Sequence, residues 1–127
     1  MSDSVLVDTS VWIKHLRESD KNLIRLLEQG LVACHPFIIG ELACGGIKNR
    51  HEIFSLLNDL PSSDVLDHHD IMEFIEYRKI MNKGIGYVDV HLLASALVSG
   101  TPLWTFDKPL RKISNQLSIE YDIKSKR

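Results

Sequence analysis

Short apolar runs recur along the chain and predict β-strands. They lie at residues 4–7, 31–35, 64–66, 103–106 and 118–123. The first, second and fourth runs are apolar at consecutive positions, which is typical of strands covered on both faces in a parallel sheet. The pattern therefore predicts a central, mostly parallel sheet of about five strands.

Apolar residues spaced three or four apart predict helices between these runs. Residues 90–98 are apolar almost all round, which indicates a buried central helix. Alternating strands and helices predict an α/β sandwich with helices on both faces of the sheet, built as one domain over residues 1–127. Three further stripes predict amphipathic helices: Leu23, Leu26 and Leu27; Ile53, Leu56, Leu57 and Leu60; and Ile71, Phe74, Ile75 and Met81.

Composition supports a globular protein without a membrane span. Of the 127 residues, 44% are hydrophobic and 25% are charged, and no run approaches the roughly 20 apolar residues that a membrane helix needs. The first residues contain no basic segment followed by an apolar stretch, so nothing argues for export and we expect a cytoplasmic protein. Cys34 and Cys44 have no metal-ligand spacing and are expected to be reduced and buried.

The net charge of −2 narrows the possible functions. Proteins that bind nucleic acid usually carry a basic surface, because phosphate groups attract Lys and Arg. Two explanations remain open at this point. Either the partner is not a nucleic acid, or the acidic residues are concentrated where they hold cations.

Two carboxylates follow predicted strands directly. Asp8 follows V-L-V, and Asp107 follows L-W-T-F. In an open parallel sheet, ligands bind at the carboxyl ends of the strands. If the two strands are neighbours, both side chains should point into one crevice.

Two further carboxylates occur in predicted helices. Glu41 lies in P-F-I-I-G-E-L-A-C, which Pro36 can start, and its spacing from Phe37 and Ile38 predicts a core-facing position. Asp89 lies in the first turn of V-D-V-H-L-L-A-S-A-L. A carboxylate on an apolar helix face needs a partner, and no Lys or Arg stands at a helical spacing from Glu41.

Each acid also has a structural explanation. Asp8 and Asp89 could cap helices, and Asp107 could be a turn residue. Together, however, crowded carboxylates repel and their pKa values rise unless a cation lies between them. Mg²⁺ prefers such oxygen ligands, and two ions about 3.5–4 Å apart can activate a water and stabilise the leaving oxygen of a phosphodiester. Bound cations would also let an acidic protein approach RNA.

Four motifs resemble the PIN domain family, and within it the VapC-type toxins of toxin–antitoxin pairs. They are V-L-V-D-T-S, I-I-G-E-L, G-Y-V-D-V-H-L-L-A-S-A-L and L-W-T-F-D-K-P-L, and they cover residues 5 to 110 in the family's order. Many relatives continue after the last aspartate with an acid and a phenylalanine, whereas Lys108 and Pro109 follow here.

The resemblance implies a PIN-like three-layer sandwich and an endoribonuclease that depends on Mg²⁺ or Mn²⁺. It implies that RNA is the substrate, that a cognate antitoxin is the partner, and that the protein forms a homodimer or a larger complex with the antitoxin. Asp8 and Asp89 would bind the metal directly, and the hydroxyls of Ser10 and Thr105 would orient the site. The full acidic set implied is Asp8, Glu41, Asp89 and Asp107.

Two other functional classes stay open from the residues alone. A haloacid-dehalogenase-like phosphatase also places an aspartate after its first strand, but it wants a second aspartate two residues later, where this chain has Ser10. A non-catalytic partner-binding module would use the acids as helix caps, and Glu41 argues against it. His68, His69 and Asp70 are interpreted as a helix start, and His91 as a core histidine. The basic bias of Lys108, Arg111, Lys112, Lys124, Lys126 and Arg127 fits a solvated surface or RNA-backbone contacts equally well.

Overall fold

Three short parallel strands form the centre of the protein, for which a computed structural model describes residues 3–123. The strands are β1 (Val5–Val7), β2 (Val32–Ala33) and β3 (Leu103–Trp104), in the order β2-β1-β3. Leu6 pairs with Ala33 on one side and with Leu103 on the other. All three residues of β1 are fully buried, so both faces of the central strand are covered.

Seven α-helices accompany the strands in the described part of the chain, and the predicted α/β class is confirmed. Helix α6 is buried from Val90 to Ala96, as the apolar pattern predicted, although Val98 near its end is exposed. The helices are α1 (Thr9–Glu18), α2 (Lys21–Glu28), α3 (Pro36–Ala43), α4 (Arg50–Asp59), α5 (His68–Arg78), α6 (Tyr87–Ser99) and α7 (Lys108–Gln116).

The sheet has fewer strands than the five predicted. Residues 64–66 form no strand, and the chain instead pairs with Cys34 through a single bridge at Ser62. On the opposite edge, Glu120 makes a single bridge to Leu103. The Cys34 N–H donates to the Pro61 carbonyl and the Ser63 N–H donates to the Cys34 carbonyl, each at 2.8 Å. Pro36 has no N–H with which to extend this pairing towards residues 64–66.

Two helix predictions also need correction. The stripe that included Met81 predicted a helix ending near Gly84, whereas α5 ends at Arg78 because Lys79 adopts a left-handed conformation with φ 54°. Helix α7 was not predicted. Its apolar stripe of Leu110 and Ile113 is buried, but basic residues between these positions mask it in the sequence.

The prediction that both cysteines are reduced and buried is correct only in part. Both cysteines are free, as predicted, and Cys34 is buried, which raises the pKa of its thiol to about 11. Cys44 is exposed, contrary to the prediction, because it caps the end of α3 beyond the last buried turn.

Within residues 3–123, no helix combines the length and apolar character that crossing a membrane requires.

His35 lies between β2 and α3, and its burial predicts that the free energy of unfolding depends on pH. Its ring is fully buried, and its Nδ1 accepts a hydrogen bond from the Phe37 N–H at 3.0 Å. Burial, with a smaller contribution from His91, lowers the pKa of His35 from 6.5 to about 4. The folded protein therefore holds His35 neutral in a pH range in which the unfolded chain is already protonated.

We expect the stability that His35 contributes to be complete above pH 6.5 and to be lost as pH falls towards 4, by roughly 3 kcal/mol. His35→Asn retains a capping side chain but does not titrate there, so its free energy of unfolding should fall less steeply with decreasing pH. Urea unfolding between pH 7 and 4.5 measures both slopes, with the exposed His51→Asn as control. Equal slopes for His35→Asn and the wild type would contradict this assignment.

Candidate active site

Asp8 stands at the carboxyl end of β1 with its side chain buried. Its Oδ2 accepts hydrogen bonds from Thr105 Oγ1 at 2.7 Å, from Ser10 Oγ at 2.8 Å and from the Ser10 N–H at 3.4 Å. The last of these makes Asp8 the N-cap of α1. All three hydrogen bonds use the same oxygen, so Oδ1 receives none from the described residues.

Two hydroxyls tie the end of β1 to the end of β3. Ser10 Oγ accepts a hydrogen bond from the Phe106 N–H at 3.0 Å, and Thr105 Oγ1 accepts one from the Asp107 N–H at 3.0 Å. Asp107 in turn caps α7, accepting from the Leu110 N–H at 3.1 Å. Asp8, Ser10, Thr105 and Asp107 therefore form one hydrogen-bonded unit, which we call the strand-end network.

Glu41 does not lie on the core-facing side of its helix, and this prediction was wrong. Ile38 and Leu42 form the buried stripe of α3, and Glu41 lies about 100° round the helix from Leu42. Its side chain is exposed, and its Oε1 accepts a hydrogen bond from Thr9 Oγ1 at 2.6 Å. The partner of Glu41 is therefore a hydroxyl in the first turn of α1, next to Asp8.

Asp89 is half-buried in the first turn of α6. Its Oδ2 accepts a hydrogen bond from the Gly86 N–H at 3.3 Å. Burial is the largest cause that raises the pKa of Asp89, and the carboxylates of Asp8, Asp107 and Glu41 raise it further, while the Gly86 hydrogen bond opposes them. All four predicted acids are therefore close enough to interact at Asp89.

The donor set suits a hard divalent cation. Within residues 3–123, no three His, Cys, Asp or Glu side chains form a ready-made metal cluster. Mg²⁺ keeps several of its waters and needs only one or two carboxylates, so such a cluster is not required. Asp8 Oδ1, which accepts no hydrogen bond from the described residues, and the electrostatically crowded Asp89 carboxylate fit this mode of binding.

A carboxylate of this protein can stabilise the start of a helix and also lie near the other acids. Asp8 and Asp107 are N-caps, and Asp89 bonds back to the N-cap residue of its own helix. The charges of Asp8, Asp107 and Glu41 nevertheless add to the effect of burial in raising the pKa of Asp89. The capping explanation is therefore correct for Asp8, whereas Asp107 caps α7 instead of lying in a turn and Asp89 lies in the first turn after the N-cap Gly86.

His68 and His91 contact aromatic residues and are not counted among the possible metal ligands. His68 begins α5, and its Nδ1 lies 2.7 Å from the Tyr87 hydroxyl. His91 is buried, with its ring 4.6 Å from that of Phe37. The interpretation of His68 as part of a helix start and of His91 as a core residue is confirmed.

Two residues next to the acids were missed in the sequence. Thr9 positions Glu41, and Phe106, between Thr105 and Asp107, has a 42% exposed side chain. A hydroxyl directly after a strand-end aspartate is a usable signal for the first. For Phe106 the sequence holds no usable signal, because it ends the apolar run L-W-T-F, in which Leu103, Trp104 and Thr105 are all buried.

A groove of about 600 Å³ begins at Glu41 and runs between α1 and the segment that joins α3 to α4. Apolar residues form much of its wall, and Arg17 and Lys48 add positive charge. The groove therefore places Glu41 at the edge of a partly apolar surface. Its apolar lining includes Ile13, Leu16, Leu42, Ile47 and Ile53.

Residues 5–116 match the family model of the PIN domain. The chain belongs to the PIN domain family, as the four motifs predicted. It is similar to Ribonuclease VapC32 from two strains of Mycobacterium tuberculosis, at 45% identity over 108 residues, which cover 84% of this chain and 87% of the relative. The resemblance to VapC-type proteins is thereby confirmed.

The strand-end network predicts the effect of removing one hydroxyl. Thr105→Val keeps the shape of the side chain but removes one of the three hydrogen bonds to Asp8 Oδ2 and leaves the Asp107 N–H without its partner. We expect a loss of about 1–3 kcal/mol in the free energy of unfolding, because both groups are at least partly buried. Denaturant unfolding measures the loss, with Thr9→Val, which removes a more exposed hydroxyl, as control. Equal effects of the two substitutions would contradict a special role for Thr105.

Proposed function

We propose that this protein is a metal-dependent endoribonuclease and the toxin of a toxin–antitoxin pair. It hydrolyses RNA phosphodiester bonds with Mg²⁺ or Mn²⁺, and the acidic constellation is Asp8, Glu41, Asp89 and Asp107. The observation that carries this proposal is that Asp8 and Asp107 follow the adjacent parallel strands β1 and β3 and share one hydrogen-bonded network. Burial, together with the charges of Asp8, Asp107 and Glu41, raises the pKa of Asp89 beside them. Membership of the PIN family and the similarity to a ribonuclease support the choice of RNA.

Asp8 and Asp89 are the proposed direct ligands. A bound divalent cation would polarise a phosphodiester oxygen and activate a water at neutral pH. Asp8 presents Oδ1 because Thr105 and Ser10 hold Oδ2. Burial and the neighbouring carboxylates raise the pKa of Asp89, and a bound cation would favour its charged form.

Glu41 and Asp107 complete the site at its exposed rim. Thr9 orients the Glu41 carboxylate, and the cap on α7 orients that of Asp107. Both side chains are exposed, so they can accept hydrogen bonds from waters around the cation and hold these waters facing the phosphate. Their negative charge also keeps RNA phosphates away from the site unless a cation is present.

The groove at Glu41 supports the proposed antitoxin partner. Its apolar lining fits the apolar face of a helix, and Arg17 and Lys48 fit acidic flanking residues. A segment bound there would end beside Glu41 and obstruct the carboxylates. We further propose that the toxin forms a homodimer or a larger complex with the antitoxin, and that it acts in the cytoplasm.

Cleavage of a mixed RNA pool with Mg²⁺, with Mn²⁺ and with EDTA tests the proposed activity. We expect fragments with either metal and intact RNA with EDTA. An Asp8→Asn preparation made in parallel guards against a contaminating ribonuclease, because contamination would cut in both samples. Intact RNA under every condition would contradict the nuclease assignment and favour a partner-binding module.

A further inference from the structure

An exposed aromatic residue, Phe106, directly precedes Asp107 in the chain. Phe106 lies between Thr105 and Asp107, and its side chain is 42% exposed. Its backbone N–H donates to Ser10 Oγ at 3.0 Å, so the same network that holds Asp8 also fixes the backbone of Phe106. The backbone that carries the ring is therefore held by the same hydroxyl that donates to Asp8.

The Phe106 ring packs against buried aromatic residues of the core. The Trp104 ring lies 5.9 Å from that of Phe106 at an interplanar angle of 82°, and Trp104 is only 3% exposed. Trp104 also contacts the ring of the buried Tyr121 at 5.3 Å. Phe106 is thus the exposed member of a cluster of three aromatic rings, which limits the entropy lost when a ligand contacts it.

A small cavity opens at this ring. It has a volume of about 260 Å³ and is lined by Phe106, Trp104 and Tyr121 together with Arg111, Glu120 and Asp122. Its volume lies just below the roughly 300–1,000 Å³ typical of sites for drug-sized ligands, so it suits a single ring system rather than a helix. The mixture of aromatic and charged walls resembles a site for a flat polar group.

The charges in the cavity disfavour a phosphate. Glu120 accepts hydrogen bonds from Arg111 Nε at 2.7 Å and from Asn115 Nδ2 at 3.0 Å, so its carboxylate offsets the Arg111 cation. Asp122 adds a second carboxylate to the lining. An uncharged ring with exocyclic amino groups is compatible with these walls, because carboxylates accept hydrogen bonds from such groups.

We propose that Phe106 stacks against a nucleobase of the RNA strand close to the scissile phosphate, with the cavity beside it receiving that base. The inference rests on the proposed ribonuclease function and adds a subsite to it. Unpaired bases of single-stranded RNA are commonly held by stacking on aromatic side chains. Phe106 is a positioning residue for the substrate and takes no part in bond cleavage.

The test compares Phe106→Leu, Phe106→Trp and wild type on a short RNA oligonucleotide that spans a cleavage site mapped in the pool experiment. Stacking of one base predicts that Phe106→Leu raises KM on the order of tenfold with kcat within about twofold of wild type, and that Phe106→Trp restores KM. Tyr77→Leu is the control, because Tyr77 is an 82% exposed aromatic residue on α5. It should cleave as wild type does.

An abasic scan of the same oligonucleotide separates stacking from a structural effect. One abasic position should raise KM for wild type as much as Phe106→Leu does, and it should add nothing further in that variant. Additive losses at every position, an unchanged KM in Phe106→Leu, or a loss traced to an altered oligomeric state would overturn the inference. Failure of the wild type to cleave would instead reject the proposed function itself.

Discussion

Asp8→Asn is expected to abolish RNA cleavage while the fold stays intact. Asparagine is as good an N-cap as aspartate, so it can still accept the hydrogen bonds from Thr105 and Ser10. It cannot supply the negative charge that a cation needs. Replacing a residue that only hydrogen-bonds to a metal ligand typically lowers metal affinity or activity about 10–100-fold. We therefore expect loss of the ligand itself to lower kcat/KM by at least about a hundredfold.

Cleavage kinetics together with thermal unfolding measure this outcome. Asp59→Asn provides the matched control, because Asp59 is an exposed carboxylate at the end of α4. It should retain full activity. Cleavage by Asp8→Asn at the wild-type rate would remove Asp8 from the site, and a loss of folded protein in this variant would show that its role in the fold dominates.

Asp89→Asn should be more stable than the wild type without metal and less stable than the wild type with a divalent cation. Burial and the neighbouring carboxylates raise the pKa of Asp89, so protonation of this group stabilises the folded protein relative to the unfolded chain. That stabilisation is complete below the ordinary pKa and is lost as pH rises through the raised value. At neutral pH without metal, the variant should therefore be the more stable protein, since it carries no charge to bury.

A divalent cation changes this order. At a concentration of 100 times its dissociation constant, a ligand that binds only the folded state adds about 2.7 kcal/mol. Wild type should gain this stabilisation from Mg²⁺ or Mn²⁺, whereas Asp89→Asn should gain little. Denaturant unfolding with EDTA and with metal tests the reversal. Equal stabilisation of the two proteins would show that the cation binds elsewhere.

The sequence was informative about the centre of the protein because local pattern and topology agree there. Asp8 and Asp107 follow apolar runs, and these runs become the neighbouring parallel strands β1 and β3. Strand-end acids on adjacent parallel strands must lie close together. The hydroxyls of Ser10 and Thr105 were implied by the family resemblance, and each lies two residues from an aspartate to which it is hydrogen-bonded.

Features that depend on packing were less predictable. The rotation of the short helix α3 decides whether Glu41 is buried, and eight residues rich in apolar side chains leave this rotation ambiguous. Pairing at Ser62 and Glu120 is confined to single bridges that depend on the neighbouring strand rather than on local sequence. The role of Thr9 follows from the approach of α1 to α3, which no spacing in the sequence reveals.

The most direct test of the proposed metal site is an anomalous difference map from crystals soaked in Mn²⁺. We predict a peak between the Asp8 and Asp89 carboxylates, at roughly the 2.0–2.2 Å that hard divalent cations keep from carboxylate oxygens. The same soak of Asp8→Asn crystals should show the peak weakened or absent. A peak only at a site remote from these carboxylates, or an identical peak in the variant, would contradict the proposed metal site.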